Sequence, residues 1–225
     1  MKGAAVLKKQ FESVLGGAQD WQSRPEPEFV PTGVAEVDSA TGGLPRGCLT
    51  EIVGPASSGR TSLLLSILAA ATARQEVCAL VDAEDAFAPH SAADAGVQLS
   101  RMLWVRCGHS AEHALKAADL LIQGGGFGLV VMDLGDTAPA TARRISLTSW
   151  FRLRRAVEHT PTVLLSIARQ SNAKTCASLV IECGRRQERW SGARHVSRLL
   201  RGFDVRAQSM KRRSLCSPVF TARAI

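Results

Sequence analysis

The chain has 225 residues, of which 45% are hydrophobic and 21% charged, and its formal net charge is +8 at pH 7. This length is enough for one compact domain with its own core, and no apolar run approaches the ~20 residues of a membrane-spanning helix. The apolar stretch near the N-terminus contains Lys and Glu and lacks the pattern of a signal peptide, so we expect a cytoplasmic protein. The six cysteines include no C-x-x-C pair, which argues against a disulfide framework or a zinc site.

The N-terminal segment is predicted to be an arm. Residues 6–15 have helical spacing of apolar residues, and Gly16 and Gly17 end the pattern. A proline-containing stretch, residues 20–31, then predicts an extended linker. We therefore expect a helical arm and linker over residues 1–31 and a core domain with a basic C-terminal part over residues 32–225. The arm would pack either on its own core or on another subunit.

A phosphate-binding loop is predicted at residues 54–61, where GPASSGRT matches G-x-x-x-x-G-K-[ST] except at Arg60. A buried strand over residues 49–53 and a helix over residues 61–73 flank it, so the loop lies at a helix N-terminus that favours an anion. The candidate nucleotide-binding residues are Gly54, Pro55, Ala56, Ser57, Ser58, Gly59, Arg60, Thr61 and Ser62. Arg60 keeps the positive charge of the lysine, but its planar guanidinium is bulkier than an ammonium and does not fit the same phosphate contact. The alternative is a glycine-rich turn without a ligand.

Strand and helix signals then alternate along the chain. Strands are predicted over residues 77–82, 102–106, 128–133 and 162–167, and helices over 86–95, 110–123 and 141–159. His109 and His113 are four residues apart on a predicted helix, but without an acidic or thiol partner they indicate a solvated face rather than a metal site. Three successive strands follow, over residues 178–183, 203–209 and 218–224. The pattern predicts an α/β fold with a mostly parallel sheet flanked by helices and C-terminal antiparallel strands.

Positive charge is concentrated in the C-terminal part. From Arg169 to the end there are 13 Lys or Arg residues and 3 Asp or Glu residues. This excess predicts contact with phosphate backbones or with an acidic protein, and solubility alone is the other interpretation. The candidate DNA-binding or partner-binding residues are Arg185, Arg186, Lys211, Arg212 and Arg213. Because the chain has no Tyr and seven Phe, any nucleic-acid contact is expected to be electrostatic.

Several motifs together resemble the RecA-like recombinase family. They are Thr32-Gly33 with Asp38, GGLPRG at residues 42–47, GPASSG at residues 54–59, VDAEDA at residues 81–86, VVMD at residues 130–133, and the terminal strands with their basic cluster before Pro218. The resemblance covers residues 32–225 and implies a RecA-like P-loop NTPase core. It further implies that Glu84 polarises the attacking water. Thr61 would ligate Mg²⁺, and Asp133 would hold it through water.

The departures from the family are informative. Arg60 replaces the phosphate-grasping Lys, and Ser91 stands where the family has an adenine-stacking Tyr. Each loss is worth ~1–3 kcal/mol, and two such losses move a micromolar site into the millimolar range. The segments that carry DNA-binding loops in recombinases are short, and we expect no counterpart of the family's large C-terminal domain. We therefore expect ATP and Mg²⁺ to bind weakly, with weak or absent ATPase activity.

A RecA-like core with an eroded site is similar to the ImuA group. That resemblance implies an accessory protein of SOS-induced translesion DNA synthesis and mutagenesis that binds RecA and ImuB, a Y-family polymerase-like protein. Two other functions stay open: a DNA-stimulated RecA-type ATPase of recombination and repair, and a cell-division inhibitor of the SulA type.

Overall fold

A computed structural model of the chain describes residues 27–191, 199–209 and 218–223. The strands are Phe29–Val30 (β1), Leu44–Pro45 (β2), Leu49–Val53 (β3), Cys78–Asp82 (β4), Met102–Arg106 (β5), Leu129–Asp133 (β6), Val163–Ala168 (β7), Leu179–Ser191 (β8), Leu199–Ser209 (β9) and Val219–Arg223 (β10). The helices are Ala35–Thr41 (α1), Arg60–Ala73 (α2), Pro89–Asp94 (α3), Ala111–Gly124 (α4), Pro139–Ala142 (α5) and Leu147–Val157 (α6).

The centre of the fold is an eight-stranded sheet in the order β10-β9-β8-β3-β7-β6-β4-β5. The six strands from β8 to β5 run parallel, whereas β9 and β10 are antiparallel additions at one edge. The central strands β3, β4 and β7 are buried along their whole length, as expected when helices cover both faces of a parallel sheet. This arrangement confirms the predicted fold class.

Two apolar layers cover the sheet. The first contains α2, whose Leu63, Ile67 and Leu68 are almost completely buried against one face. The second contains α4 and α6, with Trp150 and Leu153 fully buried against the other face. Because both layers close over the central strands, the loops at the carboxyl ends of the parallel strands are left to form a site.

The structure corrects two local expectations. The single helix predicted over residues 141–159 is divided into α5 and α6, because the Ser146 side chain accepts a hydrogen bond from the Ser149 amide and starts a new helix there. His109 has a φ of 63° and precedes α4, which starts after the predicted N-cap, Ser110. His109 and His113 therefore do not share a helix face, and the described residues contain no cluster suited to a metal ion.

The predicted helical arm falls outside the described residues, except that the end of its linker enters the small antiparallel pair β1–β2. No helix within the described ranges is long and apolar enough to cross a membrane.

Candidate nucleotide-binding site

The loop between β3 and α2 depends on glycine at both ends. Gly54 has a φ of 156° and Gly59 a φ of 92°. A Cβ atom on Gly54 would lie 2.3 Å from the carbonyl oxygen of Cys183, and one on Gly59 would lie 2.4 Å from Cγ2 of Val205. A side chain at either position would clash, so only glycine lets the loop pack directly on β8 and β9.

Arg60 is the first residue of α2 and is only 7% exposed. Its Nη1 donates a hydrogen bond of 3.1 Å to the carbonyl oxygen of Gly135, just after β6. Burial lowers the pKa of the guanidinium, while the nearby carboxylates of Asp133 and Asp136 oppose that shift. The side chain is therefore held against the end of β6 and does not extend into solvent above the loop.

Asp133 and Thr61, the candidate Mg²⁺ residues, line one cavity together with Arg60 and Ser91. Asp133 ends β6, and its Oδ1 accepts a 2.7 Å hydrogen bond from the Gly135 amide. Burial raises the pKa of the Asp133 carboxyl to about 6. A carboxylate and a hydroxyl suit Mg²⁺, but a divalent cation here would also face the Arg60 guanidinium. With Arg60 in this position, the residues present do not fit a metal ion.

The cavity is also small. Its volume is about 180 Å³, below the ~300 Å³ at which ligand pockets usually begin. Ser62, the last of the predicted nucleotide-binding residues, lines a different cavity with Gly33 and Phe220 on the outer side of α2. Within the described chain, the hydroxyl of Ser58 is buried and has no hydrogen-bond partner. The two loop glycines are thus packed on β8 and β9, and the cavity next to the loop is smaller than a usual ligand pocket.

Glu84, the candidate catalytic residue, is engaged by two neighbours. Its Oε1 accepts a hydrogen bond of 2.7 Å from the Thr137 hydroxyl, and its Oε2 lies 3.1 Å from Nδ1 of His109. The buried Asp82 accepts hydrogen bonds from the amides of Glu84 and Phe87, which fixes this loop after β4. Glu84 is not among the residues that line the 180 Å³ cavity.

Arg169, at the end of β7, is a site residue that the sequence reasoning missed. Its Nε donates to the same Gly135 carbonyl oxygen at 3.4 Å, and its Nη2 lies 3.9 Å from Oδ1 of Asp136. Two guanidinium groups therefore converge on one carbonyl beside the candidate metal residues. The signal available in the sequence was position, since Arg169 directly follows a strand next to β3 and β6 in the sheet.

The candidate basic residues are only partly described. Arg185 and Arg186 are exposed on β8, and Arg185 forms a 3.3 Å ion pair with Glu188. Lys211, Arg212 and Arg213 lie outside the described residues. A further basic surface was not predicted as functional: residues 139–157 carry five arginines and no acidic residue, and four of the five are exposed.

Comparison with known proteins agrees with this architecture. Residues 8–143 match the RecA N-terminal domain family. The RecA protein of Mesorhizobium japonicum is 34% identical over 158 residues, which is 63% of this chain and 43% of that protein. The RecA protein of Methylococcus capsulatus is 44% identical over 108 residues, or 47% of this chain and 31% of that protein. The chain spans less than half the length of these curated relatives. By this match, and by its sheet and phosphate loop, the chain belongs to the RecA family.

Proposed function

We propose that this chain is an accessory protein of damage-induced translesion DNA synthesis that works by binding proteins and has a degenerate nucleotide site. The observation that carries this proposal is the position of Arg60, which is buried in the cavity beside the phosphate loop and bonded to Gly135. The partners it implies, by resemblance to the ImuA group, are ImuB and RecA.

The charge around Arg60 supports a closed site. Asp133 and Asp136 offset the guanidinium, so displacing Arg60 would leave two carboxylates without that cation. A nucleotide bound with Mg²⁺ would have to separate these groups and replace their interactions with its own. Because a buried group that loses its partner is destabilised by ~2 kcal/mol, nucleotide affinity is expected to fall by about thirtyfold.

Replacing Arg60 by lysine should therefore tighten the binding of ATP with Mg²⁺. The shorter, single-point ammonium cannot maintain the same contact with Gly135 and can turn towards the phosphates. Calorimetric titration should give a dissociation constant in the millimolar range for the original chain and one at least tenfold lower for Arg60→Lys. Arg74→Lys, at the other end of α2, is the matched control and should leave binding unchanged.

Two results would contradict the proposal as stated. Micromolar binding by the original chain would show that Arg60 does not close the site. Equal constants for the original chain and Arg60→Lys would show that another feature, such as the missing aromatic ring at Ser91, limits binding.

A DNA-stimulated ATPase is the second candidate, because Thr61 and Asp133 line one cavity and Glu84 lies at the neighbouring strand end. We expect no turnover above background with or without single-stranded DNA, and no change in Glu84→Gln, because Glu84 is bonded to Thr137 and His109. Phosphate release stimulated by DNA and abolished in Glu84→Gln would establish this second candidate. The third function, a cell-division inhibitor of the SulA type, would be favoured if the chain bound the tubulin-like division protein.

A further inference from the structure

The outer half of the β8–β9 hairpin extends beyond the rest of the sheet. Strand β3 pairs with β8 only as far as Glu182, and β10 pairs with β9 only as far as Gly202. Beyond these points the two strands pair, within the described ranges, only with each other, up to Ser191 opposite Leu199. A two-stranded ribbon is only marginally stable on its own, so a partner bound to this segment would stabilise it.

Three large apolar side chains are exposed at this place. Trp190 is 44% exposed, Leu199 is 64% exposed and Leu200 is 39% exposed. Trp190 and Leu200 are direct cross-strand partners, so their side chains lie on the same face of the ribbon. Tryptophan and arginine are enriched among the residues that dominate protein–protein binding energy.

The same segment is basic. Residues 179–209 contain seven arginines and three acidic residues. Two of the acidic residues are already used, because Glu188 pairs with Arg185 at 3.3 Å and Asp204 pairs with Arg189 at 2.7 Å. Among the described residues, the exposed Arg186 and Arg201 form no ion pair. Arginine beside exposed tryptophan favours a partner that brings carboxylates and apolar side chains together.

We propose that one face of this ribbon end, formed by Trp190 and Leu200 with Arg186 and Arg201 on the same ribbon, docks an acidic polypeptide segment that carries apolar anchors. The inference rests on the proposed function, since it supplies a surface through which an accessory protein holds its partner. The apolar residues would fill pockets of the partner, and the two arginines would pair with its carboxylates.

A protein fits this surface better than a nucleic acid. Next to Trp190, Leu200 offers no aromatic face on which a second base can stack. The indole Nε1 of Trp190 donates to Oε2 of Glu188 at 3.1 Å, which places a carboxylate beside the exposed ring. That negative charge disfavours a phosphate or a carboxylate directly beside the ring, so we expect an apolar anchor against Trp190 and the carboxylates of the partner at Arg186 and Arg201.

The test uses the full chain and a fluorescein-labelled twelve-residue peptide that alternates glutamate with leucine and phenylalanine. Fluorescence anisotropy should show saturable binding that weakens with salt. The double variant Trp190→Ala/Leu200→Ala should weaken binding at least tenfold, and Arg186→Glu/Arg201→Glu should weaken it most at low salt. The matched control is Leu120→Ala, which removes a leucine that is 70% exposed on α4 and should leave binding unchanged.

The outcomes separate the possibilities. Absence of saturable binding, or equal binding by the double variant, overturns the proposal. Single-stranded DNA of twelve nucleotides that displaces the peptide, and whose own binding needs the arginines but not Trp190, assigns the surface to nucleic acid instead. If the double variant does not fold, Leu200→Ser alone decides, because it changes one partly exposed side chain on the face that carries Trp190. Active ATP turnover with intact peptide binding would refute the proposed function but not the docking surface. Absence of peptide binding together with absence of ATP turnover would refute the docking surface but not the proposed function.

Discussion

Replacing Glu51 by alanine is expected to lower the free energy of unfolding by about 3–5 kcal/mol. Glu51 lies in the middle of β3 and is fully buried. Its Oε1 accepts hydrogen bonds from the amides of Asn172 and Ala173 at 2.8 and 3.0 Å, and its Oε2 accepts one from the Ser171 hydroxyl at 2.5 Å. Alanine would leave these donors without a partner and open a cavity in the core.

Urea unfolding followed by circular dichroism measures this effect. Glu51→Gln keeps one oxygen acceptor and should give an intermediate loss. Glu182→Ala is the control, because that carboxylate is exposed on the adjacent strand β8 and its removal should change stability by less than ~0.5 kcal/mol. A loss below about 1 kcal/mol for Glu51→Ala would show that the segment after β7 is held in place by other contacts.

The second large effect concerns Asp133, whose replacement by asparagine should stabilise the protein at neutral and alkaline pH. Burial raises the pKa of this carboxyl in the folded protein to about 6, above its value of roughly 3.9 in the unfolded chain. The folded state therefore favours the protonated form, and the stabilisation from this group is complete below about pH 4 and is lost as the pH rises through 6. A shift of about two pKa units corresponds to ~3 kcal/mol.

Asparagine removes this penalty and still accepts the hydrogen bond from the Gly135 amide. Urea unfolding at several pH values between 4 and 8, without divalent cations, should show a gain that grows to ~2–3 kcal/mol at pH 8 and disappears at pH 4. Asp94→Asn is the control, because that carboxylate is exposed on α3 and its replacement should show little pH-dependent difference. If Mg²⁺ stabilised the original chain but not Asp133→Asn, the second candidate function would gain support.

Much of the fold could be predicted because its strands are short apolar runs. The segments that form β4, β6 and β7 are each almost continuously apolar, and the loop glycines at residues 54 and 59 mark the turn between β3 and α2. Outside the apolar core this signal disappears. The outer half of β8 is rich in arginine and glutamate, so the predicted strand ended at Cys183 although the ribbon continues to Ser191.

The position of the candidate site could be predicted from the sequence, but the placement of Arg60 in the cavity beside the loop could not. The Arg60 substitution is visible, yet its hydrogen-bond partner Gly135 is 75 positions away, and only the folded chain shows that they meet. The role of Glu51 was hidden for a related reason, because one carboxylate inside a buried strand looks like an exception until the donors of residues 171–173 are brought to it. Long-range polar contacts leave no periodic signal in a sequence.

The close packing of Gly54 on Cys183 and of Gly59 on Val205 has a consequence for regulation. Cys183 on β8 and Val205 on β9 contact the phosphate loop, and the outer ends of the same two strands carry the exposed tryptophan and leucines. A ligand that shifts these strands at their far ends would alter the loop if the shift extends to Cys183 and Val205. Coupling free energies are reciprocal. With such coupling, an anion bound to the loop would change the affinity of the hairpin for its partner by the same factor by which the partner changes the affinity of the loop for the anion.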